Sequence, residues 1–312
     1  MINEYFSQIL YRNRGLDWFD ESLEIPKDDD VIFDLKKQAI EEPYEGEFIY
    51  KKNSIFLETV NADEFCRRGM YTALFGFLFG GLVPFFVFFL VVVLFDMIVD
   101  GFDFASLILA FLIFIGITGL IYLVCNAHSA WDCFTYRHAA IRFNRRTRQV
   151  HVFYTPKLGG PRSYPWDDIQ ATITTFDNGG YFVLNILAAT PDGARYYDSF
   201  PVGGELVKYE ECLGWWEYIR RYMEEGPDSV PEPGWYHTDR LSLKESFLRW
   251  FPLREMKRDK ARGHDIRYSQ WRMVLMSPLL ALFSLGHFVS MLTSRKVAWP
   301  EEIRRVCGEA DP

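Results

Sequence analysis

The sequence predicts a membrane α plus cytoplasmic α+β protein: a transmembrane helical hairpin, a small antiparallel β domain closed by a helix, and a third apolar helix near the C-terminus. Three observations carry this. Residues 70–95 and 104–127 are two runs without a single charged side chain, each longer than the roughly 20 residues a helix needs to cross hydrocarbon. Residues 139–200 alternate polar and apolar in short stretches separated by Gly, Asn and Pro turns, which is the pattern of half-buried strands. Residues 205–225 place Leu206, Tyr209, Leu213, Trp216, Ile219 and Met223 at intervals of three or four, so one helical face is apolar and suited to covering a sheet.

The hairpin sets the expected topology. Arg67 and Arg68 precede the first run, and Arg137, Arg142, Arg145, Arg146 and Arg148 follow the second, whereas the intervening loop at 96–103 carries only acids. Cations concentrate on the cytoplasmic side of a membrane, so both long flanks are expected in the cytoplasm of a multi-pass protein. Gly76, Gly80 and Gly116 are small enough to let helices approach closely, either within the hairpin or across a homo-oligomer seam. Pro84 predicts a kink. Neither run holds an ionisable residue, which argues against an ion or proton path through it.

In chain order, residues 1–68 form an acidic N-terminal region whose aromatics, Tyr5, Phe6, Tyr11, Trp18 and Phe19, are unusual for a disordered tail. Within it, 30–40 reads as a short helix with Val31, Leu35 and Ala39 on one face, and 54–60, SIFLETV, as a strand able to join a later sheet. The hairpin occupies 69–128 and the β domain with its helix 129–230. In that domain the run AAIRFN-RRTR-QVHVFY reads as a β-hairpin. The linker PDSVPEP at 227–233 leads into a basic aromatic segment at 231–272. Lys257, Arg258, Lys260, Arg262 and Trp271 are its candidate contacts to anionic lipid. Residues 273–293 are long enough to span but contain Ser277, Pro278, Ser284, Gly286, His287 and Ser290, so they read either as a third transmembrane helix or as an interfacial one. A tail at 294–312 closes the chain.

A compact antiparallel β domain closed by one helix, placed after a hairpin and carrying IRFNRRTRQVHVF and SYPWDDI, resembles the bacterial pleckstrin-homology-like domains of membrane-anchored proteins. The wider layout, with SIFLETV before the hairpin and VAWPEEIRRVCG near the end, resembles an uncharacterised bacterial membrane family often encoded near type VI secretion effectors. That resemblance implies an immunity or accessory role without catalysis, and a protein partner such as a secreted toxin.

The chemistry in the sequence is sparse. There is no GxxxxGK[ST] loop, HExxH, GxSxG or strand-borne GxGxxG, so no cofactor, metal or catalytic residue is predicted and the protein is expected not to be an enzyme. Five scattered cysteines without a CxxC pair fit a reducing compartment better than a disulfide framework. A net charge of -8 argues against nucleic acid as a partner. Two functions remain: a membrane-anchored protein-binding protein, or a lipid-responsive scaffold. In the second, Arg142, Arg145, Arg146 and Arg148 would form an anionic-lipid or partner patch.

Overall fold

The computed structural model describes residues 32–46, 48–62, 68–100, 108, 111–119, 132–156, 159–176, 181–189, 196–251, 253–261 and 270–309. The strands in chain order are β1 (Ile32–Phe33), β2 (Lys51–Lys52), β3 (Phe56–Val60), β4 (Ala140–Asn144), β5 (Gln149–Val152), β6 (Arg162–Pro165), β7 (Ile169–Phe176), β8 (Tyr181–Ala189) and β9 (Tyr196–Leu206). The helices are α1 (Met70–Asp100), α2 (Tyr209–Glu224), α3 (Leu243–Trp250), α4 (Leu253–Ala261), α5 (Gln270–Thr293) and α6 (Glu301–Val306). These elements fall into two compact units, each assembled from separated stretches of chain. One comprises Met1–Cys66, Tyr136–Asp239 and Lys296–Pro312, the other Arg67–Thr135 and Arg240–Arg295.

The first unit is built on two antiparallel sheets of order β2-β3-β4-β5-β6 and β1-β7-β8-β9. SIFLETV supplies β3, whose register on β4 pairs Phe56 with Asn144, Glu58 with Arg142 and Val60 with Ala140. The alternation then decides what each face buries. Leu57, Ile141, Phe143, Val150, Val152 and Tyr164 enter the main core, together with Ile169, Leu184, Ile186 and Phe200 of the second sheet. Helix α2 covers this core with Trp215, Trp216, Tyr218, Ile219, Tyr222 and Met223, all buried. Glu210 and Glu211 in its first turn and Arg221 in its last complement the helix dipole. Gly214 lets the N-terminal stretch lie directly on α2, since a Cβ there would sit 2.7 Å from the Cβ of Tyr44.

That stretch is not the helix the spacing of Val31, Leu35 and Ala39 predicts. Ile32 and Phe33 extend β7 as an edge strand, pairing with Thr172 and Ala171. The Ala39 N–H then donates to the fully buried carboxylate of Glu217 at 3.0 Å. An apolar spacing of four residues fits a helix, but a docking site on α2 prevails over so short a segment. A smaller shift concerns the helix expected over 205–225: β9 runs through Gly203 and Gly204 to Leu206, so α2 starts at Tyr209.

In the second unit, α1 and α5 run side by side where Gly286 meets α1 backbone. A Cβ at Gly286 would lie 2.2 Å from Gly69 O and 2.6 Å from Ala73 N. Gly76, Gly80 and Gly116, the glycines singled out for helix packing, stand in open space, with no atom within 4 Å of an added Cβ. The expected transmembrane hairpin is corrected here. Helix α1 does not stop at the acidic break but continues through Asp96 to Asp100, so these acids do not form an outward loop. Of the second run, residues 108 and 111–119 are described, and they are helical. The fold is mixed α/β with two antiparallel sheets, and among the described residues one segment, Met273–Thr293, is both long and apolar enough to span a membrane.

This packing gives a direct test. Gly286→Leu should lower stability by about 1–3 kcal/mol through forced separation of the helices. Gly76→Ala and Gly80→Ala should each raise it by about 0.5–1 kcal/mol, because alanine loses less backbone freedom in a helix. Thermal unfolding of the detergent-solubilised variants checks both signs.

Candidate functional site

The densest polar arrangement in the first unit is a row crossing the sheet at right angles to its strands. Successive registers align Lys51 with Glu58, Glu58 with Arg142, Arg142 with His151 and His151 with Ser163. All five project from the face opposite the main core, because alternation sends Leu57, Phe143, Val150 and Tyr164 the other way. The C-terminal segment covers this outer face: Trp299, Ile303 and Cys307 form a second, smaller core with Phe56, Ala140 and Phe153.

Arg142 is the centre of the row, 5% exposed. Its Nε donates to Glu58 Oε2, Nη1 to Glu309 Oε2 at 2.7 Å and Nη2 to Glu309 Oε1 at 3.3 Å. Its guanidinium carbon lies 4.5 Å from the Phe56 ring centroid and 4.9 Å from that of Trp299, so the plane is held by cation–π contacts as well. Lys51 Nζ reaches Glu309 Oε1 at 2.7 Å. Trp299 Nε1 donates to Glu58 Oε2 at 3.3 Å, and His138 Nε2 lies 3.4 Å from Glu58 Oε1. Burial alone would raise the Glu58 pKa, but the His138 hydrogen bond and the Arg142 charge outweigh it and hold the carboxyl at about 2. His151 moves the other way. Burial, reinforced by Arg142, lowers it from 6.5 to about 4 and keeps the ring neutral. Its Nδ1 is 2.7 Å from Ser163 Oγ, while Nε2 is buried with no partner.

A row so paired is a fastening. It clamps residues 297–309 to the sheet through charges that are mutually satisfied. Among the described residues no group of three or more His, Cys, Asp or Glu side chains is placed to hold a metal ion.

The four arginines read as one surface patch are separated by the fold. Arg142 is the buried clamp just described. Arg148 bonds Asp167 at 2.6 Å and Glu224 at 2.9 Å, and Glu224 also accepts from Trp166 Nε1 at 2.6 Å. Arg145 is half-buried, and Arg146 alone of the four is exposed. The strand explains this: residues two apart share a face, but Arg142 and the turn residues face different surroundings. Of the juxtamembrane residues, Lys257 and Lys260 are exposed on α4, Arg258 lies on the same helix, and Trp271 lies in the first turn of α5. Arg262 lies outside the described residues. The sequence reading missed Glu58, Trp299 and Glu309. A signal existed for the first, as the one charge interrupting SIFLETV; no local pattern marks Glu309, 167 positions from Arg142.

The second unit has its own polar cluster. Asp132 accepts from the N–H groups of Gly69 and Thr72, both at 2.8 Å, and from Thr72 Oγ1 at 2.6 Å, capping the start of α1. Arg68, buried, donates to Ser290 Oγ at 3.2 Å and Ser294 Oγ at 3.4 Å. His287 Nδ1 lies 2.8 Å from Ser246 Oγ, linking α5 to α3.

The fold and these clusters define a two-unit α/β protein with a charge-clamped β unit and, among the described residues, one candidate apolar span. Residues 117–311, more than half of the chain, match the family described as "Family of unknown function (DUF6708)". The chain belongs to that family. No curated protein and no solved structure matches it.

The clamp predicts a defined pH dependence. Glu58 titrates lower in the folded chain than its ordinary 4.5, so its contribution is full above pH 4.5 and is lost as pH falls toward 2. The folded chain also binds a proton at His151 less readily than the unfolded chain, so that share is lost between pH 6.5 and 4. Each share is at most about 3 kcal/mol. Urea midpoints should fall from pH 7 to 4, and His151→Asn should flatten that limb alone. Arg142→Met, which leaves the buried Glu58 carboxylate without its arginine, should cost about 3–5 kcal/mol at pH 7.

Proposed function

We propose that this protein is a membrane-associated binding protein, whose helical unit associates with the bacterial plasma membrane and whose β unit recognises a protein partner in the cytoplasm. One observation carries the membrane part: the polarity of the helical unit is inverted. Arg68, Asp132, Ser246, Ser284, His287, Ser290 and Ser294 are buried. Leu74, Phe77, Phe88, Leu275, Leu285 and Leu292 are exposed, Phe77 at 68% and Leu275 at 73%. In water this arrangement forfeits about 25 cal/mol for each Å² of apolar surface left uncovered. In hydrocarbon it is favourable, because polar groups find partners inside the bundle and apolar ones face lipid.

The partner reading has different support. It is supported by two antiparallel sheets with a covering helix, the arrangement on which the resemblance to pleckstrin-homology-like domains rests. Segments 54–60 and 297–308, which carry the resemblance to a family encoded near type VI secretion effectors, supply β3 and the C-terminal strap. A secreted toxin is therefore the proposed partner class and immunity or an accessory role the proposed activity, without catalysis. The lipid-patch alternative is weakened, because Arg142 is buried and Arg148 is paired with Asp167 and Glu224.

Two measurements test the two halves. The chain should remain in the membrane pellet after alkaline extraction, and Leu275→Arg combined with Leu285→Arg should release it; a wild-type chain in the supernatant refutes the membrane reading. Deletion of the gene should sensitise cells to a sibling armed with the neighbouring toxin, and unchanged survival refutes the immunity reading.

A further inference from the structure

A strained backbone position lies in the helical unit. Phe134 adopts φ 58°, in the left-handed region that a bulky side chain rarely occupies. It is also 80% exposed, so among the described residues no packing covers the ring. Such a conformation persists only when its neighbours over-determine it, and here they do. On the N-terminal side, the Asp132 carboxylate caps α1 at Gly69 and Thr72, and the Asp132 carbonyl accepts from Ser290 Oγ at the end of α5. Cys133 Sγ lies 3.1 Å from Thr72 Oγ1. On the C-terminal side, the Thr135 carbonyl accepts from the Arg295 N–H at 2.8 Å. The turn is thus riveted to the start of α1 and the end of α5 on both sides of Phe134, and the ring is held outward.

What lies beside it identifies the occupant. The turn is bonded to the start of α1 and the end of α5, and the exposed apolar residues Leu74 and Phe77 on α1 and Leu292, Val289 and Leu285 on α5 follow from that end. Arg295, exposed and bonded through its backbone to this turn, adds a cation at the same level. An apolar ring beside an arginine at the margin of an apolar band suits the edge of a bilayer, where the ring can enter the acyl region while the cation stays among the headgroups.

We propose that the turn Asp132–Thr135 is a membrane-interface anchor in which Phe134 inserts at the acyl–headgroup boundary and Arg295 meets anionic headgroups. This rests on the membrane reading above and adds a specific contact to it, fixing the depth at which the helical unit sits. The energetic logic is that burial of the ring in lipid offsets the backbone strain.

The experiment replaces Phe134 by p-benzoylphenylalanine in the full chain in native membranes, with Leu275 and Arg146 substituted in parallel. After irradiation, the expected result is a phospholipid adduct at positions 134 and 275, several-fold above that at 146. An adduct at 275 without one at 134 overturns the anchor and leaves the membrane reading standing. An adduct at neither overturns both. A cross-linked homodimer or a protein adduct at 134 instead of lipid overturns the anchor in favour of a protein seam.

Discussion

The β unit depends on the buried ion pair of Glu58 and Arg142. Removing two such charges from water costs several kcal/mol per ion, and attraction between them offsets this only when the remaining hydrogen-bonding capacity is filled. Filling it recruits partners from three distant parts of the chain. Glu58 comes from β3, Arg142 from β4, and Glu309 and Trp299 from the C-terminal segment. The pair therefore demands the β3–β4 register that sets Glu58 opposite Arg142, since a shift of one residue would send Arg142 into the apolar core. It equally demands the strap, without which Arg142 loses Glu309 and one of its two aromatic faces. A stretch preceding α1 and the last turn of chain are in this way made parts of one sheet.

The sequence exposed those parts of the fold that follow from local alternation. SIFLETV reveals a strand because it is a β-branched and aromatic run, AIRFN and QVHV because Ile141, Phe143, Val150 and Val152 alternate with polar residues, and the RRTR turn between the last two follows from their spacing. The apolar stripe of α2 is legible for the same reason at period 3.6. What stayed hidden was decided at long range. The segment around Ile32 and Ala39 is too short to hold a helix against a docking site on α2, and its partner Glu217 is 178 positions away. Arg142 reads locally as one basic residue among four. Its burial follows only from Glu58 and Glu309, neither of which neighbours it in sequence. The acidic residues 96–100 look like a break between apolar runs, yet helical hydrogen bonding continues through them.

The helical unit shows how the same residues can weaken one inference and carry another. Ser284, His287 and Ser290 make 273–293 a poorer apolar run than those before it, which is why its mode of membrane contact stays ambiguous in sequence. In the fold they share one face with Gly286, and that face is where α5 meets its neighbours. Ser290 receives Arg68 and donates to the Asp132 carbonyl, and His287 holds Ser246 of α3. The interruptions in hydropathy are the contact surface of the helix. Leu285, Val289 and Leu292 occupy the remaining face and stay exposed.

The two units of this chain therefore obey one rule in opposite directions. In the β unit apolar side chains converge and charges either face outward or are paired, which is the arrangement water imposes. In the helical unit polar side chains converge and apolar ones face outward, which water would penalise and lipid would not. Pairing is the common requirement: Arg142 and Arg68 are both nearly inaccessible, and each is tolerated because carboxylates or hydroxyls meet it. The difference lies in what the outer surface is asked to contact. A strained, outward-held Phe134 at the end of the inverted unit is costly in either setting unless its surroundings cover the ring, so it is the residue at which the proposed lipid environment is most sharply constrained.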